Sequence, residues 1–290
     1  MTGRANNGMG LELVAVDMDG TFLDSTSTFD RERFARVNDR LAAGGVRFAV
    51  ASGNQYWQLK RYFDGFPETL YVAENGAVVG TDTDLLRVRA MDRDDALSAL
   101  ETVTGHRDVH VLACGARSAY ALSTIDPRML ALVRKYYVRT RVVTSWHEVD
   151  EDIVKLALIC PPERTESLLD GFGRELPSGI VPVSSGHGSI DLIAAGVNKG
   201  TSLEWLCRRL DIDPANMVAF GDGGNDVEML ALAGTGVAMG NAPQSIRDRA
   251  DTVVGSNDDA GVLAYLEKVL DQEPVLGKEP RAGERRTASW

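Results

Sequence analysis

Val14-Ala15-Val16-Asp17-Met18-Asp19-Gly20-Thr21 reads as a buried strand that stops abruptly in two carboxylates and a glycine turn. The run 13–16 is apolar and partly β-branched, with no polar partner, which suits a central parallel strand covered on both faces. If the backbone stays extended to Asp19, period-two alternation puts Asp17 and Asp19 on one side and Met18 on the other, toward the core. Gly20 allows a sharp departure, and Thr21 adds a hydroxyl and an amide at the same rim. Alone, the segment is equally well a strand followed by an Asx-type turn, for which Asp and Gly are ordinary residues.

A second acidic cluster changes that balance. Met217-Val218-Ala219-Phe220 is another apolar run, and it too ends in acids and glycines, Gly221-Asp222-Gly223-Gly224-Asn225-Asp226, before a segment of helical composition. In an open parallel sheet ligands collect outside the carboxyl ends of the strands, so both clusters would face one crevice. Two like unit charges about 4 Å apart repel by roughly 4 kcal/mol at an effective dielectric near 20. Asp17, Asp19, Asp222 and Asp226 do not tolerate such crowding unaided. Either a carboxylate is protonated or a divalent cation sits among them, and hard oxygen donors without a nearby His or Cys cluster favour Mg²⁺ over zinc.

Two further pieces complete the pattern. The run 47–51 is a third apolar strand, ending in Ser52-Gly53-Asn54, a small hydroxyl and a glycine suited to holding a phosphate oxygen. Val197-Asn198-Lys199-Gly200 precedes a helix predicted over 201–210, with Leu203, Leu206 and Leu210 at core spacing. Lys199 at the front of that helix opposes its dipole, which is unfavourable unless an anion occupies the same spot. Each piece alone is an ordinary turn or cap; order and placement give them weight.

Asp-Met-Asp-Gly-Thr, Ala-Ser-Gly, Asn-Lys-Gly and Gly-Asp-Gly-Gly-Asn-Asp, in that order, resemble the four motifs of the haloacid dehalogenase superfamily, in the Cof-type branch (subclass IIB) of capped phosphatases. The resemblance covers residues 11–270. It implies an α/β fold, a Rossmann-like parallel-sheet core with an inserted α+β cap domain, and Mg²⁺-dependent hydrolysis of small phosphate monoesters, sugar phosphates foremost, through an aspartyl-phosphate. It assigns Asp17 as nucleophile and Asp19 as general acid and base. Ser52 and Lys199 would hold the phosphoryl group and the nucleophile, and Asp17, Asp19, Asp222 and Asp226 the metal. Thr21, Gly53 and Asn225 would line the substrate. Many relatives carry Arg where this chain has Asn54, and Thr where it has Ser52. A phosphosugar mutase of the same superfamily and a non-catalytic phospho-metabolite sensor are the alternatives.

The whole chain is compatible with that picture. Its 290 residues, 44% of them hydrophobic, are enough for one large or two ordinary domains. A formal charge of −11 argues against nucleic acid or an anionic membrane as partner. Cys114, Cys160 and Cys207 lie far apart in no metal-ligand spacing and read as reduced thiols, so a cytoplasmic location is expected. There is no secretory h-region, and no apolar run approaches the ~20 residues of a membrane span. Oligomeric state is not encoded in any of these features.

Strand-helix-strand alternation over the first 80 residues predicts parallel pairing with right-handed crossovers. Asn75-Gly76 is a hairpin signal, and relatives carry Asn-Gly here. From residue 83 to 190 several predicted strand pairs lack an intervening helix, which argues for antiparallel pairing and an inserted cap, with core segments 1–82 and 191–271 on either side. Closing such a cap excludes bulk water from a phosphorylated nucleophile. Candidate substrate contacts on it are the loop Ser184-Ser185-Gly186-His187-Gly188, then Arg117, Tyr120, Arg139, Arg141, Trp146 and His147. The tail, residues 272–290, is rich in Pro, Gly and charge and is expected to be disordered.

Overall fold

In a computed structural model that describes residues 10–186 and 188–272, the chain builds two sheets. Residues 273–290 of the predicted tail, and His187, lie outside the described residues. Leu13–Val16 (β1) is fully buried and pairs in parallel with Arg47–Ala51 (β2) on one side and Met217–Gly221 on the other. Leu70–Ala73 (β3) joins β2 in parallel, and Val78–Gly80 (β4) and Leu85–Val88 (β5) extend the sheet antiparallel. Beyond Met217–Gly221 come Thr235–Ala238 and Thr252–Val253, both parallel.

Alternation along these strands feeds two cores. Val14, Val16, Phe48, Val50 and Phe220 point to one face, with Leu13, Ala15, Ala49, Ala51 and Ala219 on the other. Helix Arg31–Ala43 (α1) covers the first face with Phe34, Val37 and Leu41, spaced three and four residues apart so that they share one side, and its N-cap Asp30 accepts from Arg33 N. An aromatic cluster fills the space beneath it, with Phe22 and Phe48 at centroid distances of 5.3 and 4.9 Å from Phe34. Tyr56–Tyr62 (α2) lies on the same side.

The second sheet holds His110–Gly115 (β6), Ala119–Leu122 (β7), Thr140–Val143 (β8), Ile153–Ile159 (β9), Ile180–Gly186 (β10) and Ser189–Ala194 (β11), in the order β10-β11-β9-β6-β7-β8. The expected antiparallel pairing holds throughout except between β7 and β8, which are parallel. Arg93–Thr104 (α3) and Thr165–Glu175 (α5) bury Leu100, Val103, Leu168 and Phe172 against one face of this sheet, and Pro127–Tyr136 (α4) contributes Val133 to the apolar cluster that runs on into the first sheet.

Sheet membership moves the boundaries of the insert. The strand 85–88, expected in the insert, pairs with β4 in the first sheet, because β4 offers an open edge one short turn away. At the other end β11 pairs with β9 and β10 in the second sheet, so the chain re-enters the core only after Ala194. We propose that the insert be drawn from residue 90 to 195 rather than from 83 to 190.

Chain re-entry sets up the helix that matters most for the site. Asn198 caps Lys199–Leu210 (α6), its side chain accepting from Thr201 N at 2.8 Å while the Thr201 hydroxyl accepts from Asn198 N. That N-terminus is pressed against the turn between β3 and β4. Gly76 there has φ +99°, and a Cβ would stand 2.3 Å from the Asn198 carbonyl oxygen. Gly76→Ala is therefore expected to cost about 3 kcal/mol, from a left-handed backbone and an overpacked contact together. A urea-unfolding midpoint unchanged from the parent protein would contradict it. Helices Val227–Leu232 (α7), Gln244–Arg247 (α8) and Gly261–Asp271 (α9) complete the core layers. Among the described residues, no helix is long and apolar enough to cross a membrane.

Candidate active site

Three core loops and the start of α6 meet at the carboxyl ends of the strands β1, β2 and Met217–Gly221. The strand β1 ends at Val16 rather than running on to Asp19, and the chain turns at once, with Phe22 N donating to the carbonyls of Asp17 and Met18. Met18 is buried in the core, as expected, but in a turn rather than on the extended backbone from which that was read, while Asp17 and Asp19 both line a cavity of about 600 Å³ between the two sheets. Gly20 has φ +77°, and a Cβ on it would lie 2.5 Å from Asp222 Oδ2, so the two acidic loops touch through a residue without a side chain.

Lys199 is the centre of the arrangement. It is 1% exposed, and its ammonium donates to Asp17 Oδ1 and to Asp226 Oδ1, each at 2.6 Å. Asp226 is fully buried and fixes its own loop, its Oδ2 accepting from the amides of Asp222 and Gly223 at 3.0 and 2.9 Å. Thr21, expected at the substrate, is buried and donates to Asp222 Oδ1 at 2.9 Å. It shapes the acidic pair and does not line the cavity.

Carboxylate oxygens of Asp17, Asp222 and Asp226 all lie within 4.8 Å of one another. The electrostatic consequence is large. Burial raises the pKa of Asp17 well above its ordinary value, Asp226 and Asp222 push it the same way, and Lys199 opposes them. Asp222 is pushed up to about 6, by burial first and then by Asp226 and Asp19 against the hydrogen bond from Thr21. On Lys199 burial works against the charge, but the carboxylates of Asp17 and Asp226 outweigh it and its pKa is raised. A buried cluster that holds more carboxylate than cation fits a hard divalent ion, and its donors are all oxygen, the set that Mg²⁺ takes.

On the neighbouring loop Ser52 is buried, and its Oγ accepts from Asn54 N at 3.0 Å, which leaves the hydroxyl proton to donate elsewhere. Asn54 stands where the resemblance to the family leads to an expected Arg. Its carboxamide donates to Asp19 Oδ2 at 2.6 Å, so the position still has a polar task. Asn225 lines the cavity and donates to Asn75 Oδ1 at 3.0 Å.

The insert seats directly on these loops. Gln55 and the Arg139 backbone exchange two hydrogen bonds across the seam, at 3.0 and 3.1 Å, and the Arg139 guanidinium lies over the Trp57 ring. The cap wall of the cavity is made by Tyr137, Lys155, Ser184, Ser189 and Asp191. Of the expected cap contacts, Ser184 is there among the described residues. Arg117, Tyr120 and Arg141 are tied instead to Asp150 and Glu151, in a network of β7, β8 and the loops before β7 and β9, and none of the three lines the cavity. Trp146 belongs to a separate, smaller pocket with His110 and Leu122.

Sequence reading passed over Glu74, Lys155 and Asp191. All three are buried, and Asp191 Oδ2 accepts from Asn75 Nδ2 at 2.6 Å. A signal for two of them was present: Lys155 and Asp191 each interrupt a strand that is otherwise apolar, and a charge inside such a strand needs a partner.

Comparison with known proteins agrees with the architecture. The sequence profile of the haloacid dehalogenase-like hydrolases matches residues 14–266. The chain is 38% identical over 266 residues to the 5-amino-6-(5-phospho-D-ribitylamino)uracil phosphatase YbjI of Escherichia coli, covering 91% of this chain and 98% of that protein. It is 29% identical over 262 residues to the phosphoglycolate phosphatase of Methanopyrus kandleri, covering 90% of this chain and 97% of the other. The crystal structure of SMU.1108c from Streptococcus mutans superposes with a TM-score of 0.85 at 31% identity, covering 90% of this chain and all of that one.

Proposed function

The chain belongs to the haloacid dehalogenase-like hydrolases, in their Cof-type branch, and is a phosphoric monoester hydrolase; from that premise we propose that it is a Mg²⁺-dependent phosphatase releasing the terminal phosphate of a small polyhydroxylated metabolite through an aspartyl-phosphate. The observation that carries this reading is the buried Lys199 bridging Asp17 and Asp226 beside Asp222.

Asp17 is the nucleophile. Lys199 holds its carboxylate by Oδ1, and in-line attack on phosphorus yields a covalent phosphoenzyme that divides one difficult displacement into two. Asp19 protonates the departing alkoxide and then takes a proton from the attacking water, while Asn54 fixes the orientation of its carboxylate through Oδ2. Ser52 donates its hydroxyl proton to a phosphoryl oxygen, Gly53 lines the phosphate end, and Asn225 orients the acidic loop beside the substrate. Asp17 and Asp222 would hold Mg²⁺ directly, with Asp226 and Asp19 completing its surroundings. When bound, the ion screens the anionic nucleophile from the anionic phosphate.

A cavity of about 600 Å³ has the size of a small-ligand site, roughly 300–1,000 Å³. Apart from the enclosed Lys155, its cap wall is Tyr137, Ser184, Ser189 and Asp191, polar residues rather than an apolar face, which suits a sugar or a ribityl chain as leaving group. The substrate named for the Escherichia coli relative carries its phosphate on such a ribityl chain. The test is a screen of hexose phosphates, pentose phosphates, phosphoglycolate and 5-amino-6-(5-phospho-D-ribitylamino)uracil, with Mg²⁺ and with chelator. Inorganic phosphate is expected in solution from the polyol phosphates, and chelation should reduce the rate at least about 100-fold. Turnover indifferent to chelator would remove the metal, and an isomerised sugar phosphate without free phosphate would favour a mutase.

A pH dependence follows for the metal-free protein. The folded pKa of Asp222, about 6, lies above its ordinary value of 3.8, so the folded state keeps this proton longer than the unfolded chain. The stability it contributes is complete below about pH 4 and is lost as pH rises through about 6, a change of roughly 2–3 kcal/mol. Comparing wild type with Asp222→Asn by thermal unfolding from pH 4.5 to 7.5 isolates this group. The difference should grow with pH without metal and shrink when Mg²⁺ is added near pH 7; a pH-independent difference would refute it.

A further inference from the structure

Strand β9 holds a single charged residue, Lys155, and that side chain is among the most buried in the protein at 1% exposure. Its ammonium does not stop within the insert. It crosses the seam and donates to the backbone carbonyl of Gly53 at 2.6 Å, with Glu74 Oε2 at 2.8 Å and Asp191 Oδ1 at 3.4 Å. Two of these three oxygens belong to the core and one to the insert. Tyr137 and Cys114 complete the surroundings, the Tyr137 ring centroid lying 5.5 Å from the nitrogen. Burial disfavours the charge, but Asp191 and Glu74 outweigh it and raise the pKa of Lys155 well above its ordinary value. An ammonium has three donors, and three protein oxygens already surround this one.

What Lys155 grips is the middle of the phosphate loop. Gly53 lies between Ser52, which lines the cavity, and Asn54, which holds Asp19. The loop packs closely against the same cluster, for a Cβ on Gly53 would come within 3.2 Å of Asn75 and 3.3 Å of Asp191. Glu74 and Asn75 sit on a left-handed turn, with φ +51° and +54°, and that turn also accepts Ser202 Oγ through the Gly76 carbonyl. The cap sheet, the phosphate loop and α6 therefore converge on one buried polar knot.

We propose that Lys155 is a positioning residue: by binding the Gly53 carbonyl from the seated cap it sets the peptide between Gly53 and Asn54, and with it the Ser52 hydroxyl and the Asn54 carboxamide. The phosphate loop then takes its working shape only while the cap is docked. Catalytic competence and cap closure are coupled through one hydrogen bond that never touches substrate. The role assigned to the loop rests on the phosphatase reading above, whereas the coupling of Lys155 to loop order does not.

Lys155→Met strands two buried carboxylates and is expected to lower the melting temperature. Lys155→Met with Glu74→Gln removes one of those charges and should recover much of that loss, while leaving Gly53 without its donor. Both variants are assayed with Mg²⁺ on p-nitrophenyl phosphate and on the best polyol phosphate, alongside amide exchange by mass spectrometry. The expected result is a fall in kcat of about 10- to 100-fold in both variants, equal for the two substrates, with KM little changed. Peptides spanning 52–55 and 74–76 should exchange faster, and those spanning 13–16 should stay protected. Wild-type kcat in the double variant, unchanged exchange at 52–55, or a loss confined to KM for the polyol substrate would overturn the proposal. Absence of phosphatase activity from the wild type would instead defeat the functional reading, and the exchange data would still decide the coupling.

Discussion

Asp17→Asn should lose at least about 10⁴-fold in kcat on every phosphate ester the protein hydrolyses, with the fold intact. The substitution keeps the shape of the side chain but removes the nucleophile, because a carboxamide oxygen does not form a stable bond to phosphorus. Stability should not fall. Burial first, and Asp226 and Asp222 with it, raise the pKa of Asp17 by disfavouring its charge, so a neutral amide is well tolerated there, and Asp226 still accepts from Lys199. Steady-state kinetics and thermal unfolding measured together check both halves. An Asn variant with a rate within tenfold of wild type would take Asp17 out of its assigned role, and a collapse in stability would show that the charge itself holds the fold.

Lys199→Met should be nearly as damaging, and for two separable reasons. Removing the ammonium leaves Asp17 and Asp226 facing each other in a buried site, which costs about 3–5 kcal/mol when one member of a buried pair is deleted. It also frees the nucleophile from the bond that orients it, a further loss of about 10²- to 10³-fold in kcat. Lys199→Met combined with Asp226→Asn separates the two effects. The double variant should regain stability, since one of the opposed charges is gone, without regaining rate. Recovery of rate together with stability would reduce Lys199 to a structural ion pair.

Much of the core was legible because each signal was local. A four-residue apolar run that ends in acids at β1, a helix with Phe34, Val37 and Leu41 at the right spacing, and a capped helix led by Lys199 need no long-range information. The order of the motifs then placed them at one sheet edge. Two local readings still went astray. Thr21 carries a hydroxyl at the right rim, but its partner, Asp222, lies 201 residues away, and only the folded chain shows that the bond turns inward. The strand 85–88 follows a change in sequence texture, yet strand pairing, not texture, decides which sheet it joins.

On the insert the sequence carried less, because exposed Arg and Tyr residues look alike whether they face ligand or solvent. Arg117, Tyr120 and Arg141 drew attention by residue type; Arg141 donates to Tyr120 and Asp150, Tyr120 to Asp150 and Glu151, and Arg117 pairs with Glu151. Lys155 and Asp191 were hidden by the opposite bias, since each sits in a strand whose other residues read as core. A charged residue in an apolar strand marks a buried partnership, and here the partner, Glu74, lies in the turn that follows β3, outside the insert.

Glu74 also limits how this architecture can be recombined. Specificity in a two-part enzyme invites the exchange of one insert for another, with the catalytic part kept as a chassis. Here the chassis presents a fully enclosed acid at the junction, in a turn whose backbone tolerates few other residues. A transplanted insert without a base at the position of Lys155 would seat over an uncompensated carboxylate and be rejected on that ground, however well its surface matched. Grafts into this protein should therefore be chosen first by the charge they bring to that junction, and only afterwards by the ligand they recognise.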